Sequence, residues 1–405
     1  MKDWKWGLAF LLLVGCVNVS VHTGSKASAS GAVADSAMAP AINAFALDLY
    51  HFMANEPGNV ICSPLSISTL LASLTPGAVG PTQTEMLKVL HRTASAGAGD
   101  RALLSGLESQ ARADSTAWTL ANRSWVEKDY QVSPAFAKTT HDLFGYEMGE
   151  ADFVHEPDAS RAAINQWIEQ QTHGHIRDLF PQGSIESATR LVLANAIYFK
   201  GLWASPFRAE NTKSETFYAD GKDAVSVPMM SRGGSIRFAK LAHARMIELP
   251  YRGDHLSMLV ILPDDRNGIG ALEQSIEAGT LNAWVSQLRA HEVDLKLPRF
   301  KSEGKWNLKP VLNRLGMRAA FDPAKANFSA IAKGHDLFLG AVYHGAFVEV
   351  NEEGTEAAAA SGGVMATTSI AVPESFTADH PFFYVIRDRT TGCILFMGRL
   401  TDPRG

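Results

Sequence analysis

From Ile42 to the C-terminus, the sequence runs without a break that could separate two domains. This stretch has no low-complexity segment, no internal repeat and no block of like charges. Linkers between domains are usually rich in Pro, Gly or polar residues, and we find none here. A chain of 405 residues has room for two or three domains. The unbroken pattern instead predicts one large domain, which we place at residues 41–405.

Helical patterns dominate the first part of this domain, and strand patterns dominate the last part. Residues 41–53 place their large apolar side chains on one helical face. Ser63-Pro64 predicts the start of another helix, because serine caps helices and proline is tolerated in the first turn. Apolar or alternating runs predict strands at residues 190–200, 256–262, 292–300, 346–350, 382–387 and 393–400. The fold class is therefore α+β with large sheets.

The composition and the motifs exclude several classes of function. The formal net charge is −5, and the sequence contains no run of Lys and Arg that could bind nucleic acid or heparin. There is no GxSxG, HExxH, Walker loop or GxGxxG after a strand. Three cysteines without a CxxC pair cannot form a disulfide framework. We therefore expect no enzymatic activity, no catalytic residues, no metal site, no cofactor and no nucleic-acid partner.

The N-terminus has the pattern of an export signal. Lys2 and Lys5 precede the apolar run 7–14, which is too short to cross a membrane. The run ends in Leu-Val-Gly-Cys at 13–16, which resembles the lipobox of bacterial lipoproteins. Residues 1–15 are thus predicted as a lipoprotein-type signal peptide and Cys16 as the lipidated residue, with a plain secretory signal as the alternative. Residues 16–40, rich in Ser, Ala and Gly, are predicted as a flexible linker.

A long tract of small residues follows the predicted strand at 346–350. Four alanines stand at 357–360, and small residues continue to Ala371 before Pro373. A short helix capped by Thr355 would use only about six of these residues. Loops of this length in compact domains are usually functional or disordered. The small side chains of this tract would also let it slide between two strands.

The blocks on either side of this tract resemble those of the serpins, serine-protease inhibitors that act by loop insertion. The match covers the whole predicted domain and is nearly letter for letter at 347–359, FVEVNEEGTEAAA. The other matching blocks lie at residues 59–66, 195–203, 248–251, 297–300, 315–317, 378–382 and 396–400. The resemblance implies a large central β-sheet, further sheets, about eight to nine helices and an exposed reactive-centre loop at about 352–375.

The resemblance also implies a mechanism and the residues that serve it. A target protease would cut the exposed loop and form an acyl-enzyme, and the cut loop would insert into the central sheet and trap the protease. The loop hinge would comprise Glu352, Glu353, Gly354, Thr355, Glu356, Ala357, Ala358, Ala359 and Ala360. Sheet opening would be controlled by Ser63, Ser66, Asn195 and His344, with Trp203 at the top of the opening.

Two counts place the scissile bond differently. Counting forward from the hinge gives Thr368-Ser369, whereas counting back from the 378–381 block gives Ile370-Ala371. We prefer Thr368-Ser369, since the depth of insertion depends on the hinge side. Neither bond offers Arg or Lys, so the expected target is an elastase-like or subtilisin-like serine protease, with cysteine proteases also possible.

The sequence therefore predicts a monomeric inhibitory serpin whose partner is a target protease held in a covalent complex. The alternative is a non-inhibitory serpin with a binding or storage role, which the small residues of the hinge oppose. If Cys16 is modified, a lipid would anchor the chain to a membrane in the periplasm, at the outer membrane or at the cell surface. Otherwise the chain would be secreted.

Overall fold

The computed structural model describes residues 28–93, 97–114, 117–277, 279–333, 337–354 and 372–405. Over these residues the chain forms nine α-helices. They are α1 Ser28–Met53, α2 Pro64–Leu74, α3 Pro81–Val89, α4 Ala98–Ala113, α5 Pro134–Phe144, α6 Pro157–Gln171, α7 Ile269–Gln274, α8 Thr280–Val285 and α9 Lys309–Leu315. No helix in this part of the chain is long and apolar enough to cross a membrane.

Fourteen strands complete the described fold. They are β1 Val60–Cys62, β2 Ala117–Glu127, β3 Met148–Ala151, β4 Leu191–Lys200, β5 Lys213–Ala219, β6 Asp223–Lys240, β7 Ala244–Pro250, β8 Leu256–Pro263, β9 Arg289–Pro298, β10 Phe300–Asn307, β11 Leu339–Val350, β12 Glu374–Thr377, β13 Phe382–Asp388 and β14 Ile394–Leu400. The α+β class predicted from the sequence is confirmed.

The strands divide between two sheets. A five-stranded sheet has the order β10-β11-β4-β2-β3. A nine-stranded sheet has the order β1-β14-β13-β8-β7-β6-β9-β12, with β5 paired to β6. The strands predicted at residues 382–387 and 393–400 are confirmed as β13 and β14, and they pair antiparallel as a C-terminal hairpin.

The five-stranded sheet is covered on both faces, and side chains alternate between the two. On β4, Ala194 and Ala196 face a core that includes Ile164 and Ile168 of α6. Asn195 faces the other way, toward α2, all of whose residues are buried. Because period-2 alternation carries β4 through the middle of the protein, its ten residues are nearly all buried.

The structure differs from the prediction that residues 16–40 form a flexible coil. Helix α1 begins at Ser28 and continues through Pro40, so the folded domain starts before residue 41. Alanine has the highest helix propensity, and the segment 28–39 is rich in it. Ala39 is also buried in the core with Ile42, so packing stabilises the helix just before residue 41.

Candidate functional site

A parallel seam between β4 and β11 lies within the five-stranded sheet. The two strands pair from Leu191 with Leu339 to Phe199 with Val348. Because they are parallel, both strands end on the same side of the sheet. The chain leaves β11 at Val350 beside the end of β4 at Lys200, so the segment that follows begins at the open end of the seam.

Residues 351–354 fold back over the end of β4. Trp203 donates its backbone N–H to the carbonyl of Glu353 at 2.8 Å, and Phe207 donates to that of Glu352 at 2.8 Å. Gly354 forms β-bridges with Leu202 and Asn351. The φ of Gly354 is +138°, and a Cβ there would lie 2.1 Å from the carbonyl oxygen of Gly201. Only glycine fits this position, so the described start of the hinge is fixed against β4.

Trp203 packs beneath this fold-back. Its ring stacks on Tyr251 with centroids 4.6 Å apart, and its Nε1 donates to the carbonyl of Asn351 at 3.0 Å. The side chain is buried, with 3% exposed. The structure thus places Trp203 at the open end of the seam, and its role in sheet opening stays a prediction.

An ion pair holds the same fold-back from its other side. Arg299 donates from Nε to both carboxylate oxygens of Glu352 at 2.7 Å, and Thr212 Oγ1 donates to Oε1. Burial raises the pKa of Glu352, but hydrogen bonds from Arg299 and Thr212 outweigh it and hold the pKa below its usual value. The carboxylate is therefore ionised where residues 351–354 meet the sheet.

Arg299 reaches Glu352 because the chain changes sheets at this residue. The predicted strand 292–300 is in fact divided, since β9 ends at Pro298 in one sheet and β10 begins at Phe300 in the other. The backbone N–H of Arg299 donates a hydrogen bond to the carbonyl oxygen of Pro228. Neither Arg299 nor Thr212 was predicted as a site residue, because no local pattern reveals a contact made at a crossing between sheets.

Four polar residues that were predicted to control sheet opening meet at the seam, on the face of the sheet that α2 covers. Ser63 caps α2 and donates its backbone N–H to Nε2 of His344 at 3.0 Å. His344 Nδ1 contacts Asn195 Oδ1, and Asn195 Nδ2 donates to Ser66 Oγ at 2.5 Å. Asn195 and His344 are paired in register across the two strands. All four residues are fully buried, so their hydrogen bonds join β4, β11 and α2.

Three further residues extend this cluster and were missed by the sequence analysis. Asn122 of β2 accepts a hydrogen bond from Asn195 and donates to the hydroxyl of Tyr146 at 2.7 Å. Thr69 Oγ1 lies 3.0 Å from the same hydroxyl. The available signal was a polar asparagine inside a β-rich run, since buried polar groups need partners. Burial raises the pKa of Tyr146, so its hydroxyl stays neutral.

Burial also fixes the charge of His344. It lowers the pKa of the imidazole to about 3, since a charged ring there would lose its hydration. The contacts agree with a neutral ring: Nδ1–H donates to Asn195, and Nε2 accepts from Ser63. In a charged ring Nε2 would also carry a proton, and that N–H would face the backbone N–H of Ser63, so two donors would oppose each other.

The remaining predicted residues lie outside the described part of the chain. These are Cys16 and the signal peptide 1–15, hinge residues 355–360, and both candidate bonds, Thr368-Ser369 and Ile370-Ala371. Among the described residues, no group of three His, Cys, Asp or Glu side chains could hold a metal ion. What the described geometry offers is a sheet seam with a polar cluster behind it and an anchored segment at its open end.

Comparisons with known proteins agree with this architecture. The family model described as Serpin (serine protease inhibitor) matches residues 40–403. The leukocyte elastase inhibitor of Sus scrofa is 39% identical over 369 residues, covering 89% of this chain and 97% of that protein. The corresponding protein of Homo sapiens is 37% identical with the same coverage.

Solved structures show the same likeness. Uncleaved ovalbumin is 31% identical, with a TM-score of 0.82, over 90% of this chain and all of that one. Native protease nexin-1 with heparin is 29% identical, with a TM-score of 0.81, over 91% of this chain and 99% of that one. The two elastase inhibitors named here come from Sus scrofa and Homo sapiens, and the bacterial-type, lipoprotein-like signal stays a prediction.

Proposed function

The chain belongs to the serpin family, and on that premise we propose that it is an inhibitory serpin that traps an elastase-like serine protease as a covalent acyl-enzyme. It is an inhibitor and not an enzyme, so the protease supplies the nucleophile and this chain supplies the scissile bond and the trap. The 37–39% identity to leukocyte elastase inhibitors supports the inhibitory role and the elastase-like target.

The observation that carries the proposal is the position of Gly354 at the open end of the β4–β11 seam. A strand that continues from Gly354 into the seam would run antiparallel to both neighbours, since those two strands are parallel to each other. One parallel pairing would be replaced by two antiparallel pairings. Antiparallel pairing is slightly more stable per residue, and the number of ladder hydrogen bonds would nearly double. Insertion would therefore be downhill once cleavage frees the loop.

The same geometry explains why the uncut protein would keep its loop outside. An uncut loop is tied at both ends, because Gly354 bridges Leu202 and β12 pairs with β9. Opening the seam also requires breaking the buried hydrogen bonds around His344 and Asn195. The native state would thus be kinetically trapped, and cleavage would remove the tether that prevents insertion.

The loop sequence sets the proposed target class. Thr368 or Ile370 on the acyl side suits a protease with a small or apolar primary pocket, and the absence of Arg and Lys disfavours trypsin-like enzymes. We include subtilisin-like enzymes, and also cysteine proteases, among the targets to be tested.

The test is to incubate the purified chain with leukocyte elastase, pancreatic elastase, subtilisin, papain and trypsin, followed by denaturing electrophoresis and mass spectrometry. We expect a stable adduct near the summed mass with an elastase, and release of a C-terminal peptide that begins at Ser369. A peptide that begins at Ala371 would move the bond to Ile370-Ala371. Cleavage by every enzyme without any adduct would overturn the inhibitory proposal in favour of a binding or storage role.

We further propose that the chain acts outside the cytoplasm as a monomer, held at a membrane by a lipid on Cys16 or secreted. The basis is the basic and apolar N-terminus that ends at Cys16. The full chain expressed with labelled palmitate should incorporate label and partition into detergent. A Cys16→Ser variant should do neither. Equal labelling of the two proteins would refute lipidation at this residue.

A further inference from the structure

Val372 is the most exposed large apolar side chain in the described part of the chain. Two such side chains are strongly exposed there: Val372 with 89% of its surface accessible, and Val79 with 41%. Single exposed apolar residues are common and by themselves need no function. Val372 differs from Val79 in its position, because it stands between the loop tract and the strand that anchors the end of the loop.

The segment that follows Val372 is firmly anchored. Strand β12 pairs in parallel with β9 through Glu374 to Thr377. Lys240 Nζ contacts Glu374 at 2.9 Å, and Arg245 Nη1 donates to the carbonyl of Ser375 at 3.1 Å. Phe376 is completely buried. The anchored strand β12 therefore begins only two residues after Val372.

Pro373 also restricts the backbone of Val372. A residue that precedes proline is driven toward extended conformations, because the proline ring clashes with helical geometry. Proteases bind their substrates as extended strands, with alternate side chains entering pockets. Val372 is thus presented in a suitable conformation and needs little further ordering to bind, which favours affinity.

Both candidate bonds place Val372 on the leaving-group side. It is the second residue after Ile370-Ala371 and the fourth after Thr368-Ser369. We propose that Val372 is a specificity-determining residue that enters an apolar subsite on the leaving-group side of the target protease. This inference rests on the proposed inhibitory function and extends it from the acyl side of the bond to the other side.

This position predicts an unusual division of effects. After cleavage, the residues before the bond insert into the sheet, whereas Val372 stays attached to β12. Val372 thus contributes to the encounter and to acylation, but not to the later competition between insertion and hydrolysis. Its substitution should change the association rate constant and leave the stoichiometry of inhibition unchanged.

The experiment compares Val372→Ala and Val372→Asp with Val79→Asp, the matched control at an exposed valine that lies in another part of the fold, beside Asn327. Association rate constants and stoichiometries are measured with the elastase that traps the unaltered chain best. We expect the association rate constant to fall about tenfold for Val372→Ala, which corresponds to the loss of one apolar contact, and to fall further for Val372→Asp. We expect no change for Val79→Asp. Thermal unfolding checks that all three variants are folded.

The outcomes separate this inference from the proposed function. Adduct formation at an unchanged rate in Val372→Asp would overturn the role of Val372 and leave the inhibitor intact. If the loop is cut without an adduct, the rate of cutting is compared instead. Slower cutting of the Val372 variants would then support recognition although the trap had failed. A change in stoichiometry without a change in rate, or a loop that no protease cuts, would overturn the inference.

Discussion

At the scale of single residues, His344 shows how a buried polar group can make a fold sensitive to pH. Its neutral ring satisfies both nitrogens inside the protein. In the unfolded chain the same ring has an ordinary pKa near 6.5. Between pH 6.5 and about 3 the unfolded chain therefore binds a proton that the native chain does not. Native stability falls as the pH is lowered through this window.

We predict that this residue lowers the stability of the native state by about 2 kcal/mol between pH 7.5 and pH 5. Urea unfolding at the two pH values measures the difference. In a His344→Gln variant the pH dependence should shrink by that amount, because glutamine does not titrate. The control is His51→Gln, at an exposed histidine of α1, which should keep the full pH dependence. Identical pH profiles in all three proteins would contradict a neutral buried His344.

A second residue-scale prediction concerns Arg299. Its partner Glu352 is almost fully buried, with 8% of the side chain exposed. Replacing Arg299 with Ala leaves that carboxylate with Thr212 as its remaining side-chain partner. We expect the free energy of unfolding to fall by about 1–3 kcal/mol. The variant should therefore have a lower urea midpoint and unfold faster.

Lys301→Ala provides the comparison for Arg299→Ala. Lys301 pairs with Glu349 at 3.3 Å through an exposed side chain on the neighbouring strand. Such surface pairs contribute about 0–1 kcal/mol. Equal effects of the two substitutions would show that the Arg299–Glu352 pair does not hold the base of the loop.

At the scale of secondary-structure elements, the β4–β11 seam and the hinge must act together. The proposed mechanism requires the residues after Gly354 to enter a sheet whose faces are buried. Alternating residues of the inserted segment, beginning at Thr355, would face the interior. A charged side chain at that position would have to leave water without a partner.

We therefore predict that Thr355→Arg changes the protein from inhibitor to substrate. The stoichiometry of inhibition should rise several-fold or more, while the rate of loop cleavage stays within about twofold. Thr355→Ser is the control, since serine is as small and should keep the unaltered stoichiometry. Full inhibition by the arginine variant, at one molecule of inhibitor per protease, would refute insertion of this part of the loop.

At the scale of the whole molecule, the proposed function requires that the native fold not be the most stable arrangement of the chain. Stability would then depend on whether the loop is intact, although the one covalent bond that changes lies in the loop and not in the core. The native state would persist because the seam opens slowly, and its lifetime would be a rate and not an equilibrium.

This leads to a prediction about the cleaved protein. Cutting the loop near residue 368 should raise the melting temperature by on the order of 10 °C or more, because a whole strand is added to the five-stranded sheet. Differential scanning calorimetry before and after cleavage measures the change. Cleaved Thr355→Arg should gain much less, since its insertion is impeded. A cleaved unaltered chain that melts at its original temperature would be incompatible with a metastable native state.

Much of the fold was predictable because local patterns determine it. The serine cap before α2, the apolar run of β4 and the turn between β13 and β14 are each encoded within a few neighbouring residues. The resemblance of whole blocks added the family and with it the residues Ser63, Ser66, Asn195 and His344. These lie within matching blocks or beside one, so a motif could identify them before any geometry was known.

Other features depended on contacts between distant parts of the chain. Asn122 joins the polar cluster from β2, and Arg299 reaches Glu352 where the chain changes sheets. Helix α1 also runs through Ala39, which is buried in the core with Ile42, where a flexible linker was predicted. The sequence by itself determined the elements, the family and the small side chains of the loop, because those properties are local. Only the tertiary structure decided which buried polar groups share hydrogen bonds and where the loop begins, because those depend on the distances that packing creates.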